Sequence, residues 1–279
     1  YTNKSFEQVH QLVGGRLLDL VRASNLIAFN QQVKTIMEKR DVPLDWRYQQ
    51  DMELLDHLFL EAQNASKVPN IYFTLVSMDG RVFGNWPSLP GKEETESAWF
   101  RKGIQHSPFP IWLPPEDSFL RAEREKPKMI SMVRTIEGNG GVLRTSIEQS
   151  AIAKWLSEVK NDWSTFIYNE EGVLIYGDDR TLSTEVKALL KNSYADWNSI
   201  STRHWVKDGM RVISRGLPLK GWTIVQVLDE EHLYKDIRFL MKGFTFASFI
   251  FLLIFVAITV FITSRLMRPL KRLKWAMKR

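Results

Sequence analysis

The side chains that could carry catalysis in this sequence are not spaced to form a recognisable active site. The five histidines are scattered, without an HExxH motif or any close pair, so a zinc site has no suitably spaced ligands. Cysteine is absent, and neither a GxSxG motif nor a P-loop is present. We therefore expect no catalytic residue, no metal and no cofactor within these 279 residues.

Two acidic pairs and one glycine-rich segment come closest to a catalytic pattern. Glu93–Glu94 and Asp178–Asp179 could serve as paired carboxylates of a glycosidase, but no flanking cleft can be argued for either. Both pairs are more simply interpreted as solvated turns. The GNGG segment at 138–141 precedes a strand-like sequence, whereas a phosphate cradle requires a helix directly after it. We interpret this segment as a hairpin turn.

An uncharged apolar segment near the end of the chain predicts a membrane span. Residues 243–264, GFTFASFIFLLIFVAITVFITS, would extend about 33 Å as a helix, enough to cross a bilayer core of roughly 30 Å. Seven basic residues and no acidic one follow it, in a chain whose net charge is +6. The pI of about 9.4 is thus an effect of the tail, and nucleic-acid binding is not expected.

The position of the basic tail also predicts the topology. Basic residues directly after a span mark the cytoplasmic side, which puts residues 1–242 outside the cell and 265–279 inside. An outward-facing domain must be exported, and the chain begins at Tyr1 without a signal sequence. We therefore expect an N-terminal signal or a first membrane helix to precede it. The tail could also bind anionic lipid headgroups.

Hydrophobic periodicity predicts the elements that would position any site. Apolar residues at helical spacing predict one long helix over residues 1–40, ended by Asp41-Val42-Pro43, and a second helix over about 46–65. After Pro69 the pattern becomes strand-like. It predicts a hairpin (71–77 and 81–86), a short helix (95–103), an irregular proline-rich stretch around Trp112, two strands (128–136 and 142–147) and a helix (148–159).

A smaller unit repeats this order. The sequence predicts a hairpin over 164–177, a helix over 183–191 and three strands between 204 and 228, before a helix over 230–242 that leads into the span. The same hairpin-then-paired-strands layout therefore occurs twice. We predict an α+β fold in which a long N-terminal helix carries two tandem antiparallel-sheet modules and a transmembrane helix follows.

This architecture resembles the double Cache sensor domains of bacterial receptors, whose modules are PAS-like. The resemblance covers about residues 1–240 and is carried by Glu96-Ser97-Ala98-Trp99-Phe100, Pro110-Ile111-Trp112, and the GGVLRTSI and GWTIVQVL strands. The tail, with Arg268-Pro269-Leu270 and Leu273, resembles the start of a HAMP linker. Together these features are similar to the input half of a YesM-type sensor histidine kinase from a Gram-positive bacterium.

The resemblance implies six segments along the chain. They are the N-terminal helices (1–66), a membrane-distal Cache module (67–160), a membrane-proximal module (161–229), an exit helix (230–242), the span (243–264) and the start of the HAMP linker (265–279).

The resemblance also implies a ligand site in the membrane-distal module. The matching residues are Tyr72, Trp99, Phe100, Trp112, Met132, Arg134 and Ser146. Strand alternation places Met132 and Arg134 on one face of their strand, and likewise puts Arg144 together with Ser146. Which of these faces lines a pocket stays open at this point.

The chain departs from the amino-acid-binding members of the family at two positions. Those members carry an Arg two residues before the Trp for the ligand carboxylate, and an Asp near the end of the GGVL strand for the ammonium. The equivalent positions here are Ser97 and Ser146, which supply neither charge. Aromatic rings with hydroxyls and one or two Arg suit a neutral polar ligand, so we expect a sugar or another neutral polar molecule.

Each of these residues also has a purely structural interpretation. Trp99 and Trp112 could be core anchors, and Arg134 could pair with a carboxylate of the 116–117 or 123–125 segments. Four further tryptophans are expected to be packing residues of the second module: Trp163, Trp197, Trp205 and Trp222.

We expect the chain to be the sensory part of a homodimeric receptor kinase in the cell membrane. The kinase chemistry and the contact with a cytoplasmic response regulator would lie beyond Arg279. The ligand would shift an equilibrium between two arrangements of the helices through its difference in affinity for them. The alternatives are the sensor domain of a chemotaxis receptor, and a membrane-anchored solute-binding protein without any output.

Overall fold

The structure is a computed structural model, and it describes residues 2–39, 46–86, 92–117, 127–138, 140–159, 163–178, 202–207, 209–219 and 221–276. These residues form two compact units. The first comprises residues 1–207 and 212–227 and contains the first β-sheet and most of the second, and the second comprises residues 208–211 and 228–279.

Six α-helices and ten strands occur in the described part of the chain. The helices are α1 (Thr2–Ala28), α2 (Gln31–Glu38), α3 (Trp46–Ala65), α4 (Ala98–Gln105), α5 (Gln149–Ser157) and α6 (Glu230–Ala276), and a 3₁₀ helix over Lys92–Glu96 precedes α4. The first five strands are β1 (Tyr72–Ser77), β2 (Val82–Gly84), β3 (Ile111–Asp117), β4 (Lys128–Thr135) and β5 (Gly141–Glu148). The other five are β6 (Ser164–Tyr168), β7 (Leu174–Tyr176), β8 (Arg203–Lys207), β9 (Met210–Gly216) and β10 (Thr223–Asp229).

The single long helix expected over residues 1–40 is instead two helices, so that prediction was wrong in this detail. The break falls at Asn30, whose backbone is extended and whose Oδ1 accepts hydrogen bonds from the N–H groups of Gln32 and Val33. This side chain caps α2 and satisfies two donors that lack a partner at a helix start. Apolar spacing alone did not reveal the break, because Val33 and Ile36 continue the buried stripe.

The first sheet is antiparallel, with the strand order β2-β1-β5-β4-β3. β5 is therefore its central strand. In register, Ser146 of β5 lies between Tyr72 of β1 and Ser131 of β4, and Arg144 lies between Thr74 and Val133.

The proline-rich stretch around Trp112 is a strand rather than an irregular segment. β3 contains Pro114 and Pro115. It is an edge strand whose one neighbour in the sheet is β4, so a missing backbone N–H can be tolerated there. The register shifts between Leu113 and Glu116, which accommodates the two prolines as a bulge. The sequence rule that prolines interrupt strands misled the prediction here, because it applies to central strands.

The second sheet repeats the topology of the first. Its order is β7-β6-β10-β9-β8, so in each sheet the fifth strand is central, and the second and third strands are at the two edges. This confirms the tandem antiparallel modules predicted from the sequence. The helix expected over residues 183–191 lies outside the described residues, as do Trp197 and the 41–43 breaker.

The buried stripe of α1 packs against both sheets inside the first unit. Its residues Phe6, Val9, Val13, Leu17, Leu20 and Ile27 are at most 2% exposed. They share one core with Leu143 of the first sheet and with Ile213 and Ile224 of the second. The His10 imidazole lies 2.8 Å from the Gly216 carbonyl, which adds a polar contact between α1 and β9.

In the second unit, α6 contains an apolar stretch that could cross a membrane. The stretch runs over Met241–Thr263, 23 residues with a mean hydropathy of 2.7, and none of its hydrophobic window is buried. By length and composition alone, it fits the hydrocarbon thickness of a bilayer. The expected exit helix and span are thus parts of one continuous helix.

Candidate functional site

The two faces of the first sheet have different partners. One face, the α1 face, contributes Phe73, Leu75, Ile130, Leu143 and Ile147 to the core shared with α1 and α3. On the opposite face, the α4 face, Val76, Val133 and Val142 pack against Trp99 and Phe100 of α4 and Leu113 of β3. By register, Tyr72, Thr74, Ser131, Arg144 and Ser146 also belong to the α4 face.

Arg144 lies at the centre of the α4 face. It belongs to the central strand, and its side chain is 1% exposed. Its Nε donates to Ser131 Oγ at 3.0 Å, and its Nη2 donates to Glu116 Oε2 at 3.2 Å. The guanidinium carbon lies 5.6 Å from the centroid of the Trp99 ring, within the range of a cation–π contact. Arg144 thus connects the sheet to both α4 and β3.

Carboxylates surround this buried cation. Burial lowers the pKa of Arg144, and the charges of Glu116 and Glu94 act in the opposite direction. Glu94 also accepts a hydrogen bond from Trp99 Nε1 at 2.7 Å. Because an arginine stays protonated in proteins, the two carboxylates stabilise a charge that burial would otherwise disfavour.

A second polar group lies at the end of the α4 face. Tyr72 Oη donates to Glu148 Oε1 at 3.4 Å, and the Tyr72 ring is 4.6 Å from the ring of Trp86. The hydroxyls of Ser131 and Ser146 are 2.8 Å apart. The α4 face therefore combines aromatic rings, hydroxyls and charges of both signs, which is the composition of a site for a small polar ligand.

The seven residues proposed from the resemblance do not share one face. Tyr72, Trp99, Phe100 and Ser146 belong to the α4 face. Met132 and Arg134 share a face, as strand alternation predicted, but it is the α1 face. Trp112, in register with Met132, also belongs to the α1 face. A single pocket above the sheet can therefore include only the first four.

The three residues of the α1 face have partners within the first unit. Arg134 donates to Asn25 Oδ1 of α1, and its guanidinium carbon is 4.5 Å from the centroid of the Phe29 ring. The structural interpretation of Arg134 paired it with a carboxylate of the 116–117 or 123–125 segments, but Glu116 pairs with Arg144 instead. The alternative partners at 123–125 lie outside the described residues. Trp112 lies against Trp222 of the second module, and Met132 is fully buried.

The two serines at the departures from the family pattern have local roles. Ser97 is the N-cap of α4, where its Oγ accepts from the N–H of Phe100 at 3.3 Å. Ser146 shares a hydrogen bond with Ser131, as described above. These positions supply no charge, as expected, but Arg144 on β5 and Glu116 on the edge strand β3 supply both signs on the same face of the sheet.

The sequence analysis missed Arg144, Glu116 and Glu94 as members of the site. Strand alternation had grouped Arg144 with Ser146, so the signal was present, but no pattern indicated which face was covered by α4. Glu116 could not be placed because its strand was interpreted as irregular. Glu94 was interpreted as part of a solvated acidic pair.

Shallow cavities lie elsewhere in the first unit. One of about 540 Å³ lies around His57 and Glu61 of α3, and two others each include a tryptophan. The first of these two, of about 520 Å³, is lined by Met52, Asp56, Leu60, Gln63, Gly84, Asn85 and Trp86. Burial raises the pKa of Asp56 there, with the charge of His57 acting in the opposite direction. The other, of about 440 Å³, lies around Arg16, Lys154 and Trp155. None of these cavities contains a residue proposed from the sequence, and the described residues contain no group of three or more potential metal ligands.

Comparisons with known proteins identify relatives of the fold. No family model and no curated protein matches the chain. Among solved structures, the ligand-binding domain of the Campylobacter jejuni chemoreceptor Tlp3 in complex with L-valine is 13% identical, with a TM-score of 0.50. The match covers 83% of this chain and 94% of that one.

A second solved structure has the same fold. The ligand-binding domain of Mlp24 with asparagine is 14% identical, with a TM-score of 0.53, and the match covers 85% of this chain and 95% of that one. At this level of identity the likeness concerns the fold. The chain therefore has the fold of chemoreceptor ligand-binding domains, which confirms the tandem antiparallel modules inferred from the sequence.

Proposed function

We propose that the chain is the ligand-sensing and membrane-anchoring part of a receptor, and that it binds a small molecule at the α4 face of its first module. The observation that carries the proposal is the paired architecture itself. Two sheets of identical strand order share one long helix, and an apolar helix follows them. The solved domains that match along nearly their whole length are ligand-binding domains.

The ligand we propose is an amino acid or a closely related molecule. The two similar domains were solved with L-valine and with asparagine, which favours a charged ligand over the sugar expected from the sequence. The expectation of a sugar rested on the loss of both charges at Ser97 and Ser146. Arg144 and Glu116 restore a cation and an anion on the same face, so that argument no longer holds.

The output of the receptor has two candidates. A sensor histidine kinase with a response regulator is supported by the HAMP-like tail, and a chemotaxis receptor is supported by the likeness to the chemoreceptor domain. Both would act as homodimers in the membrane. An ATP-dependent autophosphorylation assay on the receptor isolated from its native membrane separates them, because only the kinase incorporates labelled phosphate.

The membrane topology can be tested with single cysteines, because the chain contains none of its own. Glu61→Cys introduces a thiol at an exposed position of α3, and Lys278→Cys introduces one in the basic tail. In intact cells, a membrane-impermeant maleimide should label the first variant. It should label the second only after the membrane is permeabilised. The reverse pattern would contradict the proposed orientation.

Ligand binding is tested on the whole chain purified in detergent. Differential scanning fluorimetry against the twenty amino acids, small organic acids and sugars should give a rise in melting temperature with at least one amino acid. A ligand at 100 times its dissociation constant stabilises the folded state by about 2.7 kcal/mol, which is readily measured. Stabilisation by sugars alone would contradict the proposed ligand class.

A further inference from the structure

Arg144 is a buried cation, and the carboxylate of Glu116 that it contacts is partly exposed to solvent. The guanidinium is 1% exposed, whereas 43% of the Glu116 side chain is exposed. The Nη2–Oε2 distance of 3.2 Å is longer than the roughly 2.7–2.9 Å of a strong charge-assisted hydrogen bond. An arginine can bind a carboxylate through two parallel hydrogen bonds, whereas the described contact with Glu116 is a single one.

Because of where Glu116 lies, moving its carboxylate away from Arg144 should cost little free energy. It lies on β3, an edge strand, just after the bulge at Pro114 and Pro115. If its carboxylate turned away from Arg144 it would enter water and keep its solvation. Arg144 cannot turn in the same way, because it is on the central strand beneath Trp99. Of the two partners, the glutamate is the one that a competing anion can replace.

We propose that the carboxylate of the ligand replaces Glu116 on Arg144, so that binding is an exchange of one carboxylate for another on a fixed guanidinium. This inference rests on the proposed function and adds to it a specific group in the ligand and a specific residue that competes with it. Compounds without a carboxylate would lack the group that releases Glu116.

The exchange would also act on the strand that touches the second module. β3 carries Glu116 on the α4 face and Trp112 on the α1 face, and the Trp112 ring centroid is 4.8 Å from that of Trp222. Moving Glu116 away from Arg144 breaks a side-chain hydrogen bond between β3 and the central strand β5. The exchange is therefore placed where it can alter the contact between the two modules.

The test measures ligand affinity in the whole chain in detergent, by isothermal titration calorimetry. The probes are L-valine and L-asparagine, with isobutylamine and β-alaninamide as their analogues without a carboxylate, after the fluorimetric panel has been applied for a better binder. The variants are Glu116→Gln, which keeps the size but removes the competing charge, and Arg144→Gln. Asp117→Asn removes a charge from the adjacent exposed position of β3 and serves as the matched control.

The expected result is a gain of affinity on removing a charge from the site. Glu116→Gln should tighten amino-acid binding by about tenfold, since one charge-assisted contact no longer competes. Arg144→Gln should weaken it by at least a hundredfold, and Asp117→Asn should leave it within twofold. If Arg144→Gln does not fold, the gain in Glu116→Gln and the failure of the amines to bind remain as independent readouts.

Two other results separate the inference from the proposed function. If amino acids bind but Glu116→Gln binds no more tightly, or the amines bind as well as the amino acids, the exchange is wrong and the sensory function stands. In that case the ion pair between Arg144 and Glu116 is structural. If no compound of the panel binds the wild-type chain, both the exchange and the proposed function are contradicted.

Discussion

The contact between Trp112 and Trp222 is predicted to couple the stabilities of the two modules. Their ring centroids are 4.8 Å apart with an interplanar angle of 55°, a tilted arrangement that aromatic pairs favour. The perturbation is a double-mutant cycle of Trp112→Ala, Trp222→Ala and the two together. It asks whether Trp112 is held by the second module, as its position on the α1 face indicates, or serves mainly as a ligand platform.

The expected magnitudes follow from burial. Trp222 is 3% exposed, and replacing a fully buried tryptophan with alanine costs about 3–5 kcal/mol of unfolding free energy. Trp112 is half-buried, so its replacement should cost about 2 kcal/mol. A tilted aromatic pair contributes about 0.5–1.5 kcal/mol beyond the buried area. The double variant should therefore lose about 1 kcal/mol less than the sum of the single variants.

Urea unfolding followed by circular dichroism is a suitable assay, because it does not depend on the tryptophans that are removed. The whole chain in detergent is used for every variant. Trp46→Ala is the matched control: Trp46 is 59% exposed on α3, and its replacement should add to that of Trp222 without coupling. Additivity of the Trp112 and Trp222 variants within about 0.3 kcal/mol would refute the reasoning.

Three further predictions test the packing and electrostatics of the first unit. Asn30→Ala should cost about 1 kcal/mol of unfolding free energy, because it removes the cap of α2, and thermal unfolding measures it. Gly103→Ala should cost about 1–3 kcal/mol in the same assay, since its Cβ would lie 2.6 Å from Val142; Gly15→Ala, with nothing within 4 Å, should be neutral or stabilising. For Asp79, burial raises the pKa, but hydrogen bonds from Ser77 and Arg81 and the charge of Arg81 more than offset it, so the pKa is lowered. The stability that Asp79 contributes is therefore present above its unfolded-state pKa of about 3.9 and is lost as the pH falls through the lowered value. Asp79→Asn should therefore make the free energy of unfolding depend less on pH below about pH 4.

The order of elements could be predicted from the sequence because it depends on short-range patterns. The apolar spacing of α3 and the turn around Gly80 between β1 and β2 are local signals, and the structure confirms both elements. Where a local rule has an exception that depends on position in the sheet, the prediction was wrong. Pro114 and Pro115 are tolerated because β3 is an edge strand, which only the assembled sheet determines.

The candidate site was harder to predict because a strand presents two faces that alternation alone cannot distinguish. Strand alternation correctly put Met132 and Arg134 on one face of β4. It also correctly put Arg144 and Ser146 on one face of β5. Pairing of β4 with β5 then put Arg144 and Ser146 on the α4 face and Arg134 on the α1 face. That difference turns one arginine toward the proposed ligand and the other toward α1.

The sequence by itself determined the tandem modules, an apolar helix long enough to span a membrane, and the absence of charge at Ser97 and Ser146, because each follows from composition or from spacing within one element. The tertiary structure decided which residues meet. Arg144, Glu116 and Trp99 come from a central strand, an edge strand and a helix, and are brought together only by sheet register and by the packing of α4. Contacts between residues distant in sequence depend on this long-range pairing, so the ligand inferred from Ser97 and Ser146 alone left out the charges of Arg144 and Glu116.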